Sequence, residues 1–158
     1  MKVSALEEYG LRCLVQLARD GATPDGDGAP LSTREIAERE GLSLEYAAQI
    51  LASLRRAGLV TSTRGVNGGF RLARPADEIS VGELFRVLDG PIADGICESY
   101  TGQRDTCANA GDCHVAPVWQ ELARRVYGFL DSVRIADIAS GNAARAPQVV
   151  PLGALRRR

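Results

Sequence analysis

The chain has one histidine, one methionine and one tryptophan among 158 residues, and only 5% of it is aromatic. A single histidine, His114, rules out a His-based metal cage. No serine or cysteine forms a nucleophile–base constellation with it. The Gly-rich stretch RGVNGG (64–69) lies between two predicted strands, not between a strand and a helix, so it is not a phosphate cradle. Catalysis is therefore not expected. The sequence also lacks any run of 18 apolar residues, which excludes a predicted membrane-spanning helix. The N-terminal stretch MKVSALEEYGLRCLVQLARD carries acids in its middle and lacks the apolar core and cleavage site of a signal peptide. A cytoplasmic location with no membrane partner is expected.

What is present suits one ordinary domain, or a small domain with an appended element: 45% of the residues are hydrophobic. The net charge of −1 says little until it is located. Residues 43–75 carry five arginines (55, 56, 64, 71 and 74) against one acid, Glu45, a net of +4. Residues 76–158 carry nine basic and eleven acidic residues, a net of −2. A basic patch on a near-neutral protein points to nucleic acid.

Apolar residues at helical spacing predict a helix over 3–20, from Leu6, Leu11, Leu14, Val15 and Leu17. GATPDGDGAP (21–30) is a loop by composition. Ser32 with Glu35 forms a capping-box pattern before TREIAERE, which stops at Gly41. Ser43 caps a second helix, LEYAAQILASLRRAG, whose inner face is Ala47, Ile50, Leu51 and Leu54. Two short helices joined by a tight Gly-containing turn make a helix-turn-helix candidate. LVTST (59–63) and GFRLA (69–73) read as strands, with Asn67, Gly68 and Gly69 between them as candidates for positive φ. A hairpin directly after the second helix is a wing. SVGELFRVLDG (80–90) is a helix capped by Ser80. One long helix is predicted over 115–139, with an apolar stripe of Val115, Val118, Trp119, Leu122, Val126, Phe129, Leu130 and Val133. The tail after Ser140 is expected to be disordered.

The fold class that follows is mainly α. It comprises a winged helix-turn-helix domain over 1–78, a unit of connecting helix, cysteine loop and dimerisation helix over 79–140, and a tail over 141–158. A recognition helix presents polar side chains near its start to base edges, here Ser43, Glu45, Tyr46 and Gln49. Arg55 and Arg56 suit phosphates, and Arg64 and Asn67 lie at the wing tip, where a narrow minor groove attracts arginine. Arg71 and Arg74 stand between DNA contact and plain surface. The apolar stripe predicts a symmetric homodimer, which matches a pseudo-palindromic double-stranded operator.

Three of the four cysteines, Cys97, Cys107 and Cys113, fall in the polar stretch CESYTGQRDTCANAGDC with spacing C-x9-C-x5-C. Structural zinc ordinarily uses closer pairs, and a disulfide would leave one of three thiols over. An iron–sulfur cluster, a thiol redox switch and zinc all stay open on spacing alone. Cys13, on an apolar helix face, reads as a buried small side chain.

EYGLRCLVQLA (8–18), LSTREIAEREGLSLEYAAQILASLRRAGLVTSTRGVNGGFRLARP (31–75), ISVGELFRVLDGP (79–91) and PVWQELARRVYGFLDSVRIADI (117–138) resemble the IscR/NsrR/RirA family of bacterial winged-helix regulators. The resemblance implies a dimeric transcription factor, mostly a repressor in that family. It also implies a 2Fe–2S or 4Fe–4S cluster held by Cys97, Cys107 and Cys113. One branch of the family uses a histidine three residues after the last cysteine as fourth ligand; that position here is Ala116, while His114 is adjacent to Cys113. Another uses an acid before the N-terminal Tyr, which Glu8 matches, so Glu8 is the implied fourth ligand and His114 the alternative. The chain departs from the family in its long Cys97–Cys107 spacing, in Ala48 where Glu is frequent, in its GVNGG wing and in a long 21–30 loop. The other expectation is a cluster-free regulator of the same fold, acting through a cysteine thiol, zinc, a partner or a small ligand.

Overall fold

A computed structural model describes residues 3–65, 67–88 and 113–142. Helix α1 (Ala5–Arg19) starts with a capping box: the Ser4 hydroxyl accepts from the Glu7 N–H, and the Glu7 carboxylate accepts from the Ser4 N–H at 2.7 Å. It buries Gly10, Cys13, Leu14 and Leu17, steps of three and four along one face. Helix α2 (Thr33–Glu40) carries the predicted Ser32–Glu35 capping box and ends at Gly41, whose φ of 65° is left-handed. Helix α3 (Leu44–Arg56) follows after three residues, with the Ser43 hydroxyl accepting from the Tyr46 N–H.

Strands β1 (Val60–Thr63) and β2 (Gly69–Leu72) pair antiparallel in the register Val60↔Leu72 to Thr63↔Gly69. Leu31 bonds Phe70 through both backbone groups, at 2.9 and 2.8 Å, so the segment before α2 is stitched to the base of the wing. The turn works differently from the sequence expectation. Among the described wing residues only Gly65 has positive φ, at 117°. Gly68 and Gly69 serve close approach instead: a Cβ would lie 2.2 Å from the Thr63 carbonyl oxygen at Gly68 and 2.5 Å from that of Leu31 at Gly69.

Helix α4 (Val81–Leu88) is capped by Ser80, whose hydroxyl accepts from the Glu83 N–H at 3.1 Å. The rest of the predicted 80–90 helix lies outside the described residues. Helix α5 (Ala116–Ser132) is the long C-terminal helix, and α6 (Ile135–Ala139) follows it. One helix over 115–139 was the expectation; the chain instead becomes extended at Val133 and Arg134. There the Val133 carbonyl accepts from Val81 and the Ile135 N–H donates to Ile79, both at 3.0 Å. Pairing with a distant segment wins over helix continuation because it buries Val133 and Ile135 beside Ile79, Val81 and Leu84.

The core is one cluster running through α1, α2, α3, the wing base and α4 to Ile135. The architecture is thus mainly helical, with a two-stranded wing and a long C-terminal helix, as the sequence predicts.

Candidate nucleic-acid interface

Helix α3 turns Ala47, Ile50, Leu51 and Leu54 inward, so its opposite face is left to solvent. Of the predicted base-reading residues, Glu45 and Gln49 are exposed on that face. Ser43 is exposed too, but its hydroxyl is engaged in capping α3. Tyr46 is half-buried, with its ring packed edge-on against Tyr9 at 6.0 Å between centroids. Sequence reasoning passed over one exposed residue here, Leu44, and noted Ala48, also exposed, only as a departure from the family pattern. Helical angle alone sets both outside the buried arc, but neither was read as a contact because neither carries a polar group.

Arg55 and Arg56 close the same face at its far end. The Arg55 guanidinium donates to the Ser62 hydroxyl of β1 at 3.3 Å, and Arg56 donates to Ser53 at 3.0 Å. Both side chains remain exposed, as do Arg64 and Asn67 at the wing. Arg71 and Arg74 are drawn into the fold instead. Arg71 reaches the carbonyls of Thr23 and Gly28, each at 3.5 Å, and so pins the 21–30 loop to β2. Arg74 is paired with Glu83 of α4. The basic surface is therefore Arg55, Arg56 and Arg64, arranged around a polar helix face.

Cys97 and Cys107 lie outside the described residues. Cys113 is half-buried just ahead of α5, and His114 beside it is exposed. Glu8 is exposed on α1 and accepts from Arg12 at 2.8 Å; Arg12 also approaches Glu40 of α2 at 3.8 Å. Among the described residues no three of His, Cys, Asp and Glu converge on a common point. Cys13 is fully buried, and burial pushes its thiol up to about 12, so it stays protonated and unreactive.

Helix α5 has two apolar sides. Ala123 is buried, and Tyr127 and Leu130 pack against the protein's own core. Asp131 holds Arg86 of α4 through two hydrogen bonds, at 2.8 and 2.6 Å. Val115, Val118, Trp119, Leu122 and Phe129 face out, between 36% and 60% exposed. Val126 is half-buried. The predicted dimerisation stripe also included Leu130 and Val133, and here the structure differs. Leu130 turns to its own core, and Val133 lies past the helix end, buried by its pairing with α4's start.

The sequence settles the kinship: the Rrf2 family pattern, that of an iron-dependent transcriptional regulator, matches residues 3–141. The chain belongs to the Rrf2 family. Protein rrf2 of Nitratidesulfovibrio vulgaris is 32% identical over 138 residues, 87% of each chain. Among solved structures, CymR of B. subtilis, titled its global cysteine regulator, superposes with a TM-score of 0.68 at 32% identity, covering 89% of this chain and 98% of that one. IscR of T. potens superposes with a TM-score of 0.66 at 33% identity, covering 95% and 93%. This Rrf2-family chain is thus a winged-helix DNA-binding transcription regulator and not an enzyme. The IscR-type resemblance read from the sequence holds. Among the described residues, no helix is long and apolar enough to cross a membrane.

Proposed function

We propose that the protein is a homodimeric repressor that binds a pseudo-palindromic operator with α3 in the major groove and the wing against the adjacent minor groove. The observation that carries this is the exposed face of α3, polar at Glu45 and Gln49, flanked by Arg55, Arg56 and Arg64. Gln49 suits an adenine edge and Glu45 a cytosine amino group, while the arginines suit phosphates and a narrow minor groove. The outward face of α5 supplies the dimer contact: four large apolar side chains on the helix, with Val115 at its cap, need a cover, and a second copy is the cover a two-fold operator requires. The test is selection of operator sequences from a random duplex library, followed by titration. Arg55→Ala with Arg64→Ala should weaken binding to all sequences and flatten its salt dependence by about two phosphate contacts. An unchanged slope would remove these arginines from the interface.

The input to this switch is cysteine chemistry ahead of α5. The reading the described residues favour is cluster-free: Cys113 acts as a thiol, or with a bound zinc, partner or small ligand, while Glu8 stays paired with Arg12. The second reading is an iron–sulfur cluster, 2Fe–2S or 4Fe–4S, and the family's description as iron-dependent supports it. The donor chemistry fits. Cys97, Cys107 and Cys113 are soft thiolates, and Glu8 is an accessible oxygen donor, with His114 as the other candidate. When bound, the cluster supplies an iron centre reactive towards redox change and nitric oxide. The chain's own part is to hold Cys113 at the root of α5, so that what happens at the thiol is felt by the helix. Iron and sulfide assays on protein purified without oxygen separate the two readings. Comparable amounts of both establish the cluster; their absence after reconstitution leaves the thiol.

A further inference from the structure

We infer that Leu44 and Ala48 form an apolar strip on the recognition helix that reads the 5-methyl group of a thymine in the operator. The inference rests on the DNA-binding reading above and names a base feature that this chain would recognise. Leu44 is 46% exposed, whereas Ile50, Leu51 and Leu54 of the same helix are fully buried. It stands in the first turn, directly after the cap Ser43, which is the end of a recognition helix that goes deepest into the groove. Ala48, also exposed, lies one turn on, about 5–6 Å away between Cβ atoms. Arg55 lies three turns from Leu44 on the same side and bonds Ser62 of β1, so the strip runs along the wing side of α3. The polar pair Glu45 and Gln49 borders it on the other side.

An apolar strip inside a DNA-facing surface has one match on the base edges. The major groove offers donors and acceptors from all four bases, and a single apolar group, the C5-methyl of thymine. A leucine cannot satisfy the others and would only strip water from them. The small side chain of Ala48 keeps the approach open, since a longer polar residue there would stand between Leu44 and the groove.

The test uses the full-length protein and the selected operator, with each thymine replaced in turn by deoxyuracil, which removes only the methyl group. One position per half-site should weaken binding about fourfold, the worth of one buried methyl. Leu44→Ala should weaken binding to the thymine operator by at least as much and lose the difference between thymine and uracil at that position. Leu44→Gln, which keeps the bulk, should lose it too; both variants sit at a half-exposed site and should fold. If no thymine responds, or if both variants discriminate as well as the wild type, the inference is overturned. If the library yields no enriched sequence at all, the DNA-binding reading fails and takes this inference with it.

Discussion

Gly69 shows how much of the wing rests on single atoms. A Cβ there would meet the Leu31 carbonyl carbon and oxygen at 2.6 and 2.5 Å and the Ser32 nitrogen at 3.0 Å. All three are backbone, so nothing can swing aside. Gly69→Ala should therefore cost about 2 kcal/mol or more, as an overpacked site with no compliant neighbour, and denaturant titration would show it as a lower midpoint. Gly41→Ala makes a useful contrast. Nothing lies within 4 Å of a Cβ there, and only the left-handed φ is at stake, so the cost should be about 1 kcal/mol. The sequence marks both residues as turn formers but cannot tell these reasons apart. Conformational freedom is a property of the residue; close approach belongs to a neighbour 38 positions away. For the same reason the caps at Ser32, Ser43 and Ser80 are readable, being local patterns that span four residues. The roles of Arg71 and Arg74 are not: their partners, Thr23, Gly28 and Glu83, come from other parts of the chain.

At the scale of elements, the docking of α5 on α4 holds the most information that the sequence concealed. The apolar stripe of α5 steps through Phe129, Leu130 and Val133 at helical spacing, so periodicity alone carries the helix past its end. Backbone pairing of Val133 and Ile135 with 79–81 stops it. Beside that stop, Gly82 admits α5 closely: a Cβ would meet Asp131 Oδ1 at 2.1 Å and the Asp131 nitrogen at 3.1 Å. The Asp131 carboxylate is not free to yield, because Arg86 grips both oxygens and lies over the Tyr127 ring at 4.3 Å. Hydrogen bonding from Arg86 holds the Asp131 carboxyl below the usual aspartate range. A carboxyl lowered in the folded state adds stability above its unfolded value, near pH 4, and loses it as pH falls through the lower folded value. Both side chains are 42% exposed, so screening limits the contribution to under about 1 kcal/mol. Asp131→Asn should thus unfold at a lower urea midpoint than the wild type at pH 7, with the gap narrowing once the pH drops below about 4. A gap constant with pH would mean that packing, not charge, anchors this end of the helix.

Across the whole molecule, α5 is the element that joins the proposed cysteine input to the proposed dimer. Its C-terminal end packs on α4 and the core, Cys113 lies just ahead of its N-terminal end, and its outer side exposes Trp119 and Leu122. In the proposed dimer, the separation of the two α3 helices is set through α5, and an operator favours one separation. Affinity for a full operator then exceeds that for a half-site because the second contact is intramolecular, which can add a factor of about 10²–10⁴. Introducing charge into the outer face with Leu122→Glu and Trp119→Ala should leave the fold intact, since neither side chain belongs to the buried core. Sedimentation should then show a monomer. Binding to the full operator should fall about 100-fold or more, while binding to an isolated half-site should stay within about threefold of the wild type. A variant that remains dimeric would move the interface off this face, and a variant that loses half-site affinity equally would show that α5 shapes the recognition helix within one subunit instead of spacing two.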